Sequence, residues 1–237
     1  MFNNKSIAII FIAAIALALV GGANANGIGL HLTEQAVADT LYRYGTDLNA
    51  LVEYGINSAC SASSVNPAVF PAAAAFVATY FSQNVKSYVV VQQTVAAPPS
   101  TVLNWTVGAP GFANSAALFQ TLQVSYAEFM YYFSAPFWWT IDKPYVTALN
   151  VRDSAYGGAT TAYITASDVN TGFFCLGAGT SSPTRGFRQQ QSVYHHVLVL
   201  EGDENSATWR FLEFEETNKN MINYPQLPTQ ISPTPAV

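Results

Sequence analysis

The spacing of apolar residues turns from mainly helical to strand-like near Pro136, and that change most restricts the folds open to this chain. Before it the repeat is helical. Thr33 can cap a helix whose first turn carries Glu34, a favourable charge against the helix dipole. Val37, Leu41, Tyr44, Leu48 and Leu51 then recur at spacings of four and three, one apolar stripe that Gly55 stops. Asn66-Pro67 and Pro71 suit the start of a second helix, with Phe76, Val77, Tyr80 and Phe81 on its apolar face. A third can run from Asn114 or Ser115 through Leu118, Leu122, Phe129 and Phe133, with Pro136 marking its end. Between the second and third, the β-branched run Val85 to Val95 reads as a strand that Ala96-Ala97-Pro98-Pro99 ends. Asn104 to Phe112 reads as a loop.

After Pro136 the pattern is that of strands: Tyr145 to Arg152, a turn at Gly157-Gly158, then Ala159 to Ala166 and Gly172 to Leu176. Gly177 to Pro183 follows as a flexible loop. Gln189 to Leu200, the acidic turn 201–205 and Thr208 to Glu216 form the most regular hairpin. Helices first and mostly antiparallel strands afterwards predict an α+β domain, because a curved sheet needs helices to cover its apolar face. A sheet so covered wraps a cavity, which is where a binding site would sit.

The ends of the chain carry different information. Residues 1–6 bear one positive charge, Ile7 to Val20 are uniformly apolar, and Ala23 and Ala25 offer the small residues a signal peptidase inspects. Residues 1–25 are therefore expected to be a cleaved signal peptide. An apolar run of 14 residues is too short for a membrane anchor, which needs about 20 to cross a roughly 30 Å hydrocarbon core. The domain is placed at 26–222, and the Pro-rich 223–237 is read as a flexible tail. Half of the chain is hydrophobic and only 10% is charged, so a sizeable core can form. Without Lys5 there are 8 basic and 14 acidic residues, a charge of −6. No Lys/Arg cluster is present to attract nucleic acid or an anionic membrane.

In an exported chain the two cysteines, Cys60 and Cys175, are more often a disulfide than a metal pair, the alternative being two buried thiols. Asn104-Trp105-Thr106 is a glycosylation sequon in a eukaryotic host. No nucleophile elbow, phosphate loop or dinucleotide fingerprint occurs. No Cys/His/Asp/Glu group has ligand spacing, so neither a metal nor a cofactor is expected.

Two segments, Ala38-Asp39-Thr40-Leu41-Tyr42-Arg43-Tyr44-Gly45 with Leu48-Asn49, and Tyr194-His195-His196-Val197-Leu198-Val199 with Trp209-Arg210-Phe211, resemble the SnoaL-like branch of the nuclear-transport-factor-2-like superfamily. The resemblance implies a cone of about three N-terminal helices packed on a strongly curved, mostly antiparallel sheet enclosing an apolar pocket. Ketosteroid isomerases, dehydratases, polyketide cyclases and binding modules share that cone, so fold alone selects no reaction. The resemblance also implies a possible homodimer through the open sheet face. At the position where the superfamily's enzymes often place an acid or base this chain has Asn49, and two residues along a helix put Asp47 on another face. With Asn150 taken as the family's strand asparagine, Val146 stands where dehydratase-like members carry histidine, and His196 falls where the family often has Asp.

Of His31, His195 and His196, the last two alternate on one strand, so at most one enters the cone. His31 is read as an exposed neighbour of the first helix cap. His196 is the candidate catalytic base, against the simpler reading of a satisfied structural histidine. Asn49, Tyr126, Trp139 and Tyr194 are the candidate ligand-binding residues, and Glu213 is an acid only if it faces inward. The expected function is binding of a small apolar or aromatic molecule by an exported or secretory-lumen protein. A cofactor-independent lyase, isomerase or cyclase using general acid-base chemistry is the alternative, and a structural or partner-binding domain with a filled cone is a third class.

Overall fold

A computed structural model describes residues 31–54, 68–94, 100–176, 184–203 and 206–224. Among them are three α-helices, α1 (Glu34–Tyr54), α2 (Val69–Tyr80) and α3 (Ser115–Tyr132). Six strands follow the order β1 (Ser87–Thr94), β2 (Ser100–Thr106), β3 (Phe133–Asp153), β4 (Ala159–Leu176), β5 (Thr184–Glu201) and β6 (Thr208–Tyr224). They form one open sheet in the spatial order β2-β1-β6-β5-β4-β3. All neighbours are antiparallel except β1 and β6, which are parallel. The architecture is α+β, as the change of period predicts.

Local chemistry accounts for the helix starts and for the sheet's bend. Thr33 Oγ1 accepts the Ala36 N–H at 3.1 Å, the expected cap of α1. The stripe on α1 buries Val37, Leu41, Tyr44 and Leu48, and the helix lies along β3 while α2 packs on α3. Register shifts interrupt β1, β5–β6 and especially β3, and each bulge adds local twist and bends the strand. An aromatic core occupies the concave side. Tyr44, Phe76, Phe81, Phe211 and Phe214 are all buried there, with Tyr44 to Phe211 ring centroids 5.1 Å apart in an edge arrangement.

Several boundaries differ from the sequence reading. Helix α3 ends at Tyr132, and β3 starts at once and runs through Pro136 instead of ending there. Pro136 and Pro144 both sit where the β3 register shifts, on a strand at the sheet's edge, and edges and bulges are where a missing N–H does no harm. Strand β2 occupies residues read as the start of a loop. The two expected strands 159–166 and 172–176 are one strand, β4. Strand β6 continues through Tyr224, so residues 223 and 224 belong to the sheet and not to the tail. The expected signal peptide, Cys60, the loop 177–183 and residues 225–237 lie outside the described residues. So do the side chains of Cys175 and Trp139, and with them the disulfide pairing.

The β5–β6 turn requires glycine. Gly202 has φ +113°, and a Cβ there would stand 2.6 Å from the Ser206 carbonyl oxygen. Gly202→Ala is therefore expected to destabilise by about 1–3 kcal/mol, seen as a lower urea midpoint at unchanged slope. An unshifted midpoint would mean that the turn relaxes without strain.

Candidate functional site

Side-chain alternation on the long strands sets the composition of the concave face. On β4, Ala162, Ile164, Ala166 and Asp168 point inward, and on β5, Gln190, Ser192, Tyr194, His196 and Leu198 do so; all nine are buried. The ladder aligns Ile164 with His196, Ala166 with Tyr194 and Asp168 with Ser192. Across β5 and β6 it aligns His196 with Phe214 and Tyr194 with Glu216. The inner face thus changes along the strands from apolar at Leu198 to polar at Ser192, Gln190, Asp168 and Glu216. Beyond that polar set, β4, β5 and β6 each continue for several more residues.

Ser192 links the two carboxylates. Its N–H donates to Asp168 Oδ1 at 3.2 Å and its hydroxyl to Glu216 Oε1 at 2.8 Å. Gln190 Nε2 donates to the same Glu216 oxygen at 3.0 Å and to Ser192 Oγ at 3.0 Å. Burial, with the Asp168 charge added, pushes the Glu216 carboxyl up to about 8, while the bonds from Ser192 and Gln190 act in the opposite sense. Glu216 therefore holds a proton at neutral pH. Such a carboxyl can donate a hydrogen bond or deliver a proton, which an ordinary glutamate at that pH cannot.

Tyrosine hydroxyls converge on the set. Tyr44 Oη, from the α1 stripe, lies 2.6 Å from Tyr126 Oη on α3, both buried, and Tyr88 of β1 bonds to Tyr126. Tyr194 donates to Asp168. Burial above all raises the pKa of Tyr44, Tyr126 and Tyr194, and the next contribution comes from Tyr88 for Tyr44, from Tyr44 for Tyr126, and from Glu216 and Asp168 for Tyr194. These hydroxyls stay neutral donors throughout the physiological range.

The residues singled out in the sequence fall in different places. Tyr126 and Tyr194 belong to this network. His196 faces inward and His195 outward, where His195 is exposed beside Thr165. The His196 ring stacks on Phe214 at 4.3 Å and meets Phe211 at 4.9 Å, and its Nδ1 accepts the Glu215 N–H at 3.3 Å. Burial pulls its pKa down to about 3, so the ring is neutral and a poor base. Asn49 is half-buried further along α1 from Tyr44, and Asp47 accepts the Tyr80 hydroxyl at 2.5 Å. Glu213 is on the outer side of the sheet, where it accepts the Tyr156 hydroxyl at 2.8 Å. Asn104 is exposed on β2, with its Oδ1 accepting from Thr106 Oγ1 at 3.1 Å. Asp168, Ser192, Gln190 and Glu216 are not among the candidates read from the sequence.

No protein-family model matches the chain, and no curated protein matches it. Among solved structures it is similar to a candidate scytalone dehydratase from Novosphingobium aromaticivorans DSM 12444, with 13% identity, a TM-score of 0.43, and 82% of this chain and 88% of that chain covered. An NTF2-like protein with a cystatin-like fold from Novosphingobium aromaticivorans shows 13% identity, a TM-score of 0.39 and coverage of 81% and 85%. A ketosteroid isomerase-like protein from Erwinia carotovora atroseptica shows 11% identity, a TM-score of 0.30 and coverage of 63% and 81%.

Proposed function

We propose that this is an exported protein that binds a small apolar or aromatic molecule against the concave face of its sheet. The Asp168–Ser192–Glu216 set and the tyrosine hydroxyls hold the polar end of the ligand. One observation supports this most: two carboxylates stand on the inner face midway along the strands, at positions where apolar residues would fit the pattern. Withdrawing each carboxylate from water costs several kcal/mol, and well-packed apolar residues in place of such a group are often neutral or stabilising. A polar set kept in such a place is better explained by what it binds than by what it holds together. The aromatic core closes the face on the His196 side, so the bound molecule lies on the opposite side of the polar set.

Native mass spectrometry of freshly purified protein should show a co-purified small molecule. Asp168→Asn, Ser192→Ala and Glu216→Gln, each checked for folding by thermal melting, should retain less of it. Equal retention by all three well-folded variants would remove the polar set from the binding site.

A second reading, a cofactor-independent lyase or isomerase, is favoured by the proton that Glu216 keeps near neutrality. A general acid works best when its pKa lies near the working pH. Glu216 would then protonate a leaving or enolic oxygen while the Asp168 carboxylate accepts the proton given up by the substrate carbon, so that one proton enters and one leaves the substrate. Slow conversion of the co-purified molecule by wild type, absent in Glu216→Gln, would separate catalysis from binding.

A further inference from the structure

The two edges of the sheet are defended unequally. Strand β3, at one edge, carries Lys143 with Pro136 and Pro144, residue types that keep an edge strand from pairing with another chain. Strand β2, at the other, has no strand on its far side among the described residues and carries neither charge nor proline. Its run Thr101 to Thr106 combines β-branched, aliphatic and aromatic residues, the composition most prone to pairing edge to edge. Leu103 to Thr106 lie in continuous register with Ser87 to Val90, so no bulge twists this part of the edge away.

The sequon Asn104-Trp105-Thr106 lies on this undefended stretch. Trp105 turns inward to stack on Tyr88, with ring centroids 5.6 Å apart, so Asn104 and Thr106 alternate to the outer face, where Asn104 is exposed. Thr106 Oγ1 donates to Asn104 Oδ1 at 3.1 Å. Asn104 Nδ2, the atom a glycan would occupy, has no hydrogen bond among the described residues. A sugar can be added there without breaking a contact.

We propose that Asn104 carries an N-linked glycan that shields the open β2 edge, a modification that rests on the reading of the chain as exported. In the transfer, Asn104 Nδ2 bonds to the anomeric carbon of an oligosaccharide held on a lipid pyrophosphate. The anomeric C–O bond breaks, its electrons leave on the pyrophosphate, and the transferase takes up one Nδ2 proton. The bulky, hydrated sugar then does at β2 what lysine and proline do at β3.

Expression of the full chain in insect cells is the test. The secreted protein should weigh more than its polypeptide, and peptide N-glycosidase should remove the excess. Asn104→Gln and Thr106→Val each abolish the sequon and should lack that excess. By size exclusion with light scattering, their mass in solution should be about twice that of the glycosylated chain, because two β2 edges can then pair. Asn104→Lys also lacks the glycan but puts a charge on the edge, so it should show the same association state as the glycosylated chain. Secreted wild type without the excess mass would overturn the proposal, as would absence of self-association in both Asn104→Gln and Thr106→Val. Equal association of Asn104→Lys would also overturn it, because the contact would then lie away from the edge. Retention of residues 1–25 inside the cell would instead overturn the export reading, and residues 26–237 behind a leader of established function would then decide Asn104 by the same measurements.

Discussion

Glu216→Gln should leave the protein more stable than wild type at pH 8, by on the order of 5 kcal/mol, with the difference vanishing below about pH 4.5. The folded carboxyl titrates near 8 and the unfolded one near 4.5, so between those values the native state binds the extra proton. The contribution of Glu216 to native stability must then fall as pH rises through that window, by roughly 1.4 kcal/mol per unit. Glutamine resembles the protonated acid, can still accept from Ser192 and Gln190 through its carbonyl, and has nothing to lose. That contribution should therefore disappear in the variant. Urea denaturation of both proteins between pH 4 and 9 provides the check. Parallel curves would mean that Glu216 is already ionised at neutral pH, and the general-acid reading would fall with it. Any ligand that accepts a hydrogen bond from this carboxyl should likewise leave above pH 8.

Features set by near neighbours were legible in the sequence. The Thr33 cap, the α1 stripe and the β5–β6 hairpin depend on residues a few positions apart, and all three are where the pattern puts them. Strand β2 was not legible, because at the sheet's edge its Thr101 and Asn104 face water and Asn disfavours strands. Asp168 fell in a polar stretch that looked like a break between two strands, whereas β4 continues through it and keeps the parity of Ala162, Ile164 and Ala166. Glu216 was hidden for a sharper reason. Counting by twos from Trp209 and Phe211 brings Glu213 inward, but the ladder pairs Leu198 with Phe211 and Val197 with Glu213, leaving Leu212 as an inserted residue. A bulge reverses the parity of everything after it. Phe214 and Glu216 therefore turn in, Glu213 turns out, and no local pattern announces the change.

His196→Phe should be less stable than wild type at pH 7 by about 1 kcal/mol, because the Glu215 N–H, in a part-buried bond, loses the acceptor it has in Nδ1. At pH 3.5 the order should reverse. Burial holds the folded imidazole neutral down to about pH 3, whereas the unfolded one takes up its proton near 6.5, so the histidine's contribution is present above 6.5 and is lost as pH falls. Between about 4.5 and 6.5 this trend opposes that of Glu216, and wild type should show a plateau there, falling away on both sides. Phenylalanine can stack on Phe214 in place of the imidazole and carries no charge to bury, so the variant should lose the acid limb and keep the fall toward pH 8. Urea midpoints at pH 3.5, 5.5 and 7.5 distinguish these shapes. Persistence of the acid limb in His196→Phe would trace it to another group. Its loss would show that His196 is a neutral member of the aromatic core at working pH, which leaves proton transfer on the concave face to Glu216 and Asp168.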